Sequence, residues 1–183
     1  LALSSRQPGD RAVALHAAQL AARRGDWNKA ATVLAEASVL QPDDAELTDQ
    51  WLQAERQRVS VGGDTAVLIA ALQEALRRAP AAHLWTELAD LQGAQGAHAA
   101  AAQAWLAALE LDASTPAEPV LAAMAQLAEA GDADGAKLVG DQLWPIVDAR
   151  QDLGLMDALL QLRLQAAATD SAKVPLWKQL VDL

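Results

Sequence analysis

The strongest constraint on this chain is a turn that keeps returning. Gly25-Asp26 recurs as Gly63-Asp64 and as Gly131-Asp132, with Gly96-Ala97 between them, so the glycines stand 38, 33 and 35 residues apart. An apolar-periodic run precedes and follows each turn. The segments after the first three turns also close alike, with "EASVLQP", "EALRRAP" and "AALELDA". Each part has a physical purpose. Glycine after a helix takes the left-handed conformation that other residues resist. Aspartate accepts from the free amides that open the next helix. Pro42 and Pro80 cannot extend the helix before them and force the chain round. A period of this length, with its parts in fixed order, calls for helix, short turn, helix and link, repeated.

Composition agrees. Alanine and leucine dominate, Phe and Tyr are absent, and bulk comes from six tryptophans spread along the 183 residues. That spread predicts an apolar core drawn out along the chain, with most tryptophans filling it. The net charge of -10 opposes nucleic acid and anionic membrane surfaces as partners. Without cysteine there is no disulfide framework and no Cys-ligated zinc. No apolar run reaches the roughly 18 residues that a membrane span needs. The opening "LALSSRQPGD" contains no signal peptide and reads as cut from a longer parent.

The spacing predicts ten helices paired as hairpins: 11–24 with 28–40, 44–59 with 64–78, 82–95 with 97–111, 117–130 with 133–149, and 153–168 with 172–182. The glycine pair at 62–63 sits late in its unit, which predicts a longer turn there. The first unit then resembles the tetratricopeptide repeat family. Ala18 takes the small-residue position of the first helix, Gly25 and Asp26 the turn, and Trp27 the aromatic after it. Ala30, Leu34, Ala37 and Pro42 take the later positions. The third unit agrees through Trp85, Leu88, Ala89, Gly96, Ala101, Trp105 and Ala108. In the fourth, Met124, Gly131 and Ala136 fit, while Gly140 and Trp144-Pro145 depart. In place of the family's first-helix aromatics, Ala14, Ala17, Ala18 and Ala21 form an alanine stripe that predicts close backbone approach.

The resemblance implies an all-α, right-handed superhelical solenoid of about five helix-turn-helix repeats, near 11–43, 44–80, 81–114, 116–150 and 152–183, in a single array. It implies a non-catalytic scaffold that holds a protein or peptide on an inner face lined by the first helix of each pair. On that register the lining is His16, Gln19 and Arg23, then Asp49, Gln53 and Arg56, then His83, Thr86 and Asp90, and finally Leu121. Trp144, Trp177 and Leu180 fall where the pattern frays and are candidate end contacts. Residues Leu176, Trp177, Leu180, Val181 and Leu183 share a helical face that a following repeat, another protein or a second copy would cover. The alternatives are a helical arm of an enzyme whose catalytic domain lies elsewhere, and a module that self-associates through its C-terminal hairpin.

Sharper chemistry finds little support in the residues. His16, His83 and His98 have no ligand spacing, so no metal or cofactor is expected. The "VGGD" string lacks the Lys-Ser/Thr of a phosphate loop and reads as a turn. Asp44/Glu46 and Asp132/Asp134 open helices, where acids cap and meet the helix dipole, and are not read as catalytic pairs. Arg23-Arg24, Arg56/Arg58 and Arg77-Arg78 close helices for the mirror-image reason. Arginine outnumbers lysine ten to four, and alanine is abundant, which points to a GC-rich bacterial source. In bacteria such arrays accompany secretion, envelope and polysaccharide-export assemblies, in cytoplasm or periplasm, with the periplasm favoured.

Overall fold

The recurring turn folds as its residues require. In a computed structural model, which describes residues 8–167 and 170–181, Gly25, Gly62, Gly96 and Gly131 all adopt left-handed φ angles of 74° to 98°. The Gly25 N–H bonds Ala22 O at 2.9 Å, and the Asp26 N–H bonds Ala21 O at 3.0 Å. The same pair of bonds closes the helices before Gly96 and Gly131. Asp26 then caps the following helix, its carboxylate accepting from Lys29 N at 3.1 Å. One residue therefore ends one helix and begins the next. The second turn inserts a residue: Gly62 is the left-handed position, Gly63 donates to Arg58 O at 2.9 Å, and Asp64 caps one step later. That is the longer turn expected there, and it moves the structural equivalent of Gly25 from Gly63 to Gly62.

Ten helices follow among the described residues: α1 (Pro8–Arg23), α2 (Trp27–Leu40), α3 (Ala45–Ser60), α4 (Thr65–Arg78), α5 (Ala82–Ala94), α6 (His98–Leu111), α7 (Glu118–Glu129), α8 (Ala133–Arg150), α9 (Leu153–Ala166) and α10 (Asp170–Val181). Their limits fall within three residues of those expected. The expected ends at 168 and 182, and Leu183, lie outside the described residues.

The chain divides into two compact units, Leu1–Pro80 and Ala81–Leu183. In the first, α2 packs on both α1 and α3, and α3 packs on α4. Of the alanine stripe, Ala14, Ala18 and Ala21 are buried and Ala17 is half-buried. Leu47, Leu52 and Leu72 lose all solvent contact, each contributing about 2 kcal/mol of apolar burial. Inside this unit Trp51 donates to Glu55 at 3.2 Å, and Glu55 forms an ion pair with Arg58 at 2.8 Å, so a buried carboxylate meets one donor and one cation. In the second unit each helix packs on the next in sequence. In addition α6 meets α8 and α7 meets α9, which is how one hairpin stacks on its successor. Leu106, Val120, Met124, Leu143, Val147 and Leu159 form the centre of its core.

Polar ties reinforce the stacking at about one repeat's distance. In the first unit Arg11, on α1, donates at 2.6 Å to Asp44, the cap of α3, and also to Glu46. Arg78, closing α4, reaches Ser38 O at the end of α2 at 3.0 Å. In the second unit Arg150 reaches Thr115 O at 3.1 Å, and Gln103 donates to Gln142 at 2.9 Å. The arginines at helix ends thus do more than oppose a dipole: Arg78 and Arg150 satisfy carbonyls 40 and 35 residues earlier.

The tryptophans correct the expected picture of the core. Only Trp51 is buried, while Trp27, Trp85, Trp105 and Trp144 are half-buried and Trp177 is 53% exposed. Leucine and alanine fill the interior, and the large rings flank it.

Candidate interaction surface

The first-helix residues singled out above occupy single stripes on their own helices. His16, Gln19 and Arg23 are exposed on α1 at spacings of three and four residues. Asp49 and Gln53 are exposed on α3, and Arg56, half-buried, is engaged within the chain. On α5, His83 and Asp90 are exposed, while Thr86 is half-buried and its hydroxyl donates to His83 O at 2.9 Å.

Two expected contacts need correction. Leu121 is buried in the core of the second unit beside Val120 and Met124. Because α7 packs on α6, α8 and α9, more of its circumference is enclosed than a two-sided helix would show, and Leu121 is not open to a partner. Trp144 is likewise no free end contact: it packs against that core, with the Arg163 guanidinium 5.9 Å from its ring centroid. Trp177 is exposed as expected, but its companions are Val174 (53%) and Val181 (82%), whereas Leu180 is half-buried.

The second unit also contains two concavities that share Ala133 and Ala166. A groove of about 380 Å³ lies between α7 and α9, with Ala125, Ala128 and Leu162 on its walls and Glu129 and Gln165 at its rim. A cleft of about 470 Å³ lies between the start of α8, the end of α9 and α10. Its apolar lining includes Ala166, Ala167, Pro175 and Leu176, and its polar lining is Asp134, Lys137, Arg163 and Gln179. Lys137 and Arg163 both donate to Asp141. Neither cation was apparent as a site residue in the sequence. The available signal was the break in the repeat at Gly140 and Trp144-Pro145, which surrounds their shared carboxylate.

Electrostatic perturbation gathers at the polar ties. The Arg11 guanidinium, helped by the Leu47 N–H, holds the Asp44 carboxyl below its ordinary range. Arg77 and then Arg78 do the same for Glu74. The Ser114 backbone N–H and hydroxyl lower Asp112 at the link after α6. All three are stabilised anions in capping or pairing roles. Among the described residues no group of three His, Asp or Glu side chains is arranged to hold a metal, and no helix is long and apolar enough to cross a membrane.

Among solved structures the chain is similar to the MamA protein, whose crystal structure matches it with a TM-score of 0.52 at 13% sequence identity, covering 96% of this chain and 92% of that one. A second MamA crystal structure matches at 13% identity over 91% of this chain and 97% of that one, with a TM-score of 0.46. No family model matches the chain, and no curated protein matches it. The first likeness, with the hairpins described above, makes the fold class an all-α helical-repeat solenoid. At this identity it speaks to fold alone.

Proposed function

We propose that the chain is a non-catalytic scaffold that binds a protein or peptide through the exposed polar stripes of its first helices. The observation that carries this reading is the division of labour along α1, α3 and α5. Ala14, Ala18, Leu47, Leu52, Leu84 and Leu88 are buried to build the repeat, while His16, Gln19, Asp49, Gln53, His83 and Asp90 stay exposed on the same helices. Within each unit the packed core gives such a stripe rigid backing, so a partner meets the side chains of one helix at nearly fixed spacing. The alanine-rich composition with arginine over lysine supports a bacterial source, and the resemblance to tetratricopeptide repeats supports a setting there in a secretion, envelope or polysaccharide-export assembly.

The test is capture of partners from lysate of the source organism by the chain and by Gln19→Arg, Gln53→Arg and Asp90→Arg. All three sites are exposed, so folding is preserved. Each change is expected to release a partner that Gln73→Arg, on the exposed side of α4, retains. If every captured protein survives all three, the stripes are not the binding surface.

Self-association is the second reading, favoured by the exposed Val174, Trp177 and Val181 stripe of α10. Trp177→Glu would then abolish a concentration-dependent rise in mass on sizing chromatography. A monomer at every dilution before the change removes this reading.

A further inference from the structure

The breaks in the repeat at Gly140 and Trp144 converge on one side chain. A Cβ at Gly140 would stand 3.2 Å from Arg163 Cγ and 3.2 Å from Met124 Cε, so bare backbone there lets the Arg163 stem lie across α8. The guanidinium rests over the Trp144 ring and donates from Nη2 to Asp141, leaving the side chain only 17% exposed. Lys137 Nζ takes the other oxygen of Asp141 at 2.7 Å. Two cations thus share one carboxylate on the wall of the 470 Å³ cleft, in a chain whose net charge is -10. Asp134, which also lines the cleft, lies in the first turn of α8, where the positive end of the helix opposes its charge.

We propose that this cleft docks an apolar peptide segment of a partner protein that carries a carboxylate, with Arg163 and Lys137 receiving the acid. The inference rests on the scaffold reading, since its occupant is a protein segment, but it names a surface separate from the first-helix stripes. Charge complementarity selects the occupant. Asp141 has given both oxygens, while the remaining N–H groups of Arg163 have no partner among the described residues. A second carboxylate completes that fork with charge-assisted bonds. The alanine, proline and leucine surface beside it offers an incoming apolar side chain something to bury against. The cleft's volume lies in the range of about 300–1,000 Å³ typical of ligand sites.

The test selects binders from a displayed library of random dodecamer peptides on the immobilised full chain. Selected peptides are expected to carry Asp or Glu beside Leu, Ile or Phe. The best of them, made synthetically, should bind about tenfold more weakly to Arg163→Met and to Lys137→Met, and as much more weakly when its acid becomes an amide. The Lys137 side chain is 70% exposed, so Lys137→Met keeps the fold and decides the matter even if Arg163→Met unfolds. No enrichment, enrichment without an acid, or acidic peptides that bind both variants undiminished would each overturn the proposal. A partner lost on Gln53→Arg but indifferent to Lys137→Met would leave the scaffold reading intact and remove the cleft from it.

Discussion

Alanine at the turn glycines separates backbone strain from packing. Gly25, Gly96 and Gly131 hold φ angles of 74°, 76° and 84°, and an added Cβ would meet nothing within 4 Å. The substitution therefore costs conformation alone. A left-handed non-glycine residue carries roughly 1–2 kcal/mol of strain. Alanine recovers about 0.4–1 kcal/mol of that by restricting the unfolded chain. The expected loss is about 1 kcal/mol at each site. Gly63 fails for a different reason. Its Cβ would stand 2.7 Å from Arg58 O, the carbonyl that its own N–H bonds, so Gly63→Ala must displace backbone at a cost of about 1–3 kcal/mol. Gln151 reverses the experiment. It is the non-glycine residue with left-handed φ, at 54°, among the described residues. Gln151→Gly relieves the strain but loses an exposed bond from Nε2 to Asp148 O at 2.8 Å, so a gain of about 0.5 kcal/mol is expected. The assay is urea unfolding followed by helical circular dichroism, with D-alanine placed at position 25 by semisynthesis. D-alanine accepts positive φ and should restore what L-alanine loses. Equal losses for the two enantiomers, or destabilisation by Gln151→Gly, would refute the argument from strain.

Three further outcomes follow from the same geometry. Ala97 has a capping backbone (φ -83°, ψ 58°, beside -88° and 71° at Asp132) without a side-chain acceptor, so Ala97→Asp should add about 1 kcal/mol and raise Tm by about 2–4 °C. Arg78→Met strands the buried Ser38 carbonyl and should cost about 1–3 kcal/mol in urea unfolding, while Arg77→Met, whose side chain is 73% exposed, loses only a solvent-screened pair with Glu74 and should cost far less. Asp44 and Glu74 titrate below ordinary carboxylates, so their stabilisation is complete above the usual range of about 4 and is lost as pH falls through the depressed folded values. Thermal midpoints should be flat near neutrality and fall in acid, and Arg11→Met should flatten the acid limb.

The helices and turns were legible because their signals are local. A left-handed glycine and a capping aspartate act within six residues, as Ala21 to Asp26 shows, so their meaning survives without knowledge of the rest of the chain. The tryptophans and arginines were less legible because their placement depends on stacking. Arg78 reads as a helix-end cation until α4 is set beside α2, and only then does Ser38 O lie in reach. Leu121 reads as an inner-face residue if α7 has two neighbours, and it is core because α7 has three. Periodicity along one helix reports which face is apolar. It does not report how many other helices share that face.

A repeat also supplies its own background, against which a departure becomes evidence. Ala97 departs from the Gly-Asp turn in a simpler way: the backbone is kept and the side-chain cap is missing. Gly140 departs and is used, because the stem of Arg163 lies where its side chain would be, with Trp144 beneath the guanidinium and Asp141 beside it. Both positions are small residues, so residue type cannot separate an idle deviation from a working one. The criterion is whether a side chain from another helix occupies the vacated volume and is held there by contacts of its own. At Gly140 the stem of Arg163 fills that volume and two contacts hold it there, to Trp144 and to Asp141, so that the charge lines a cleft.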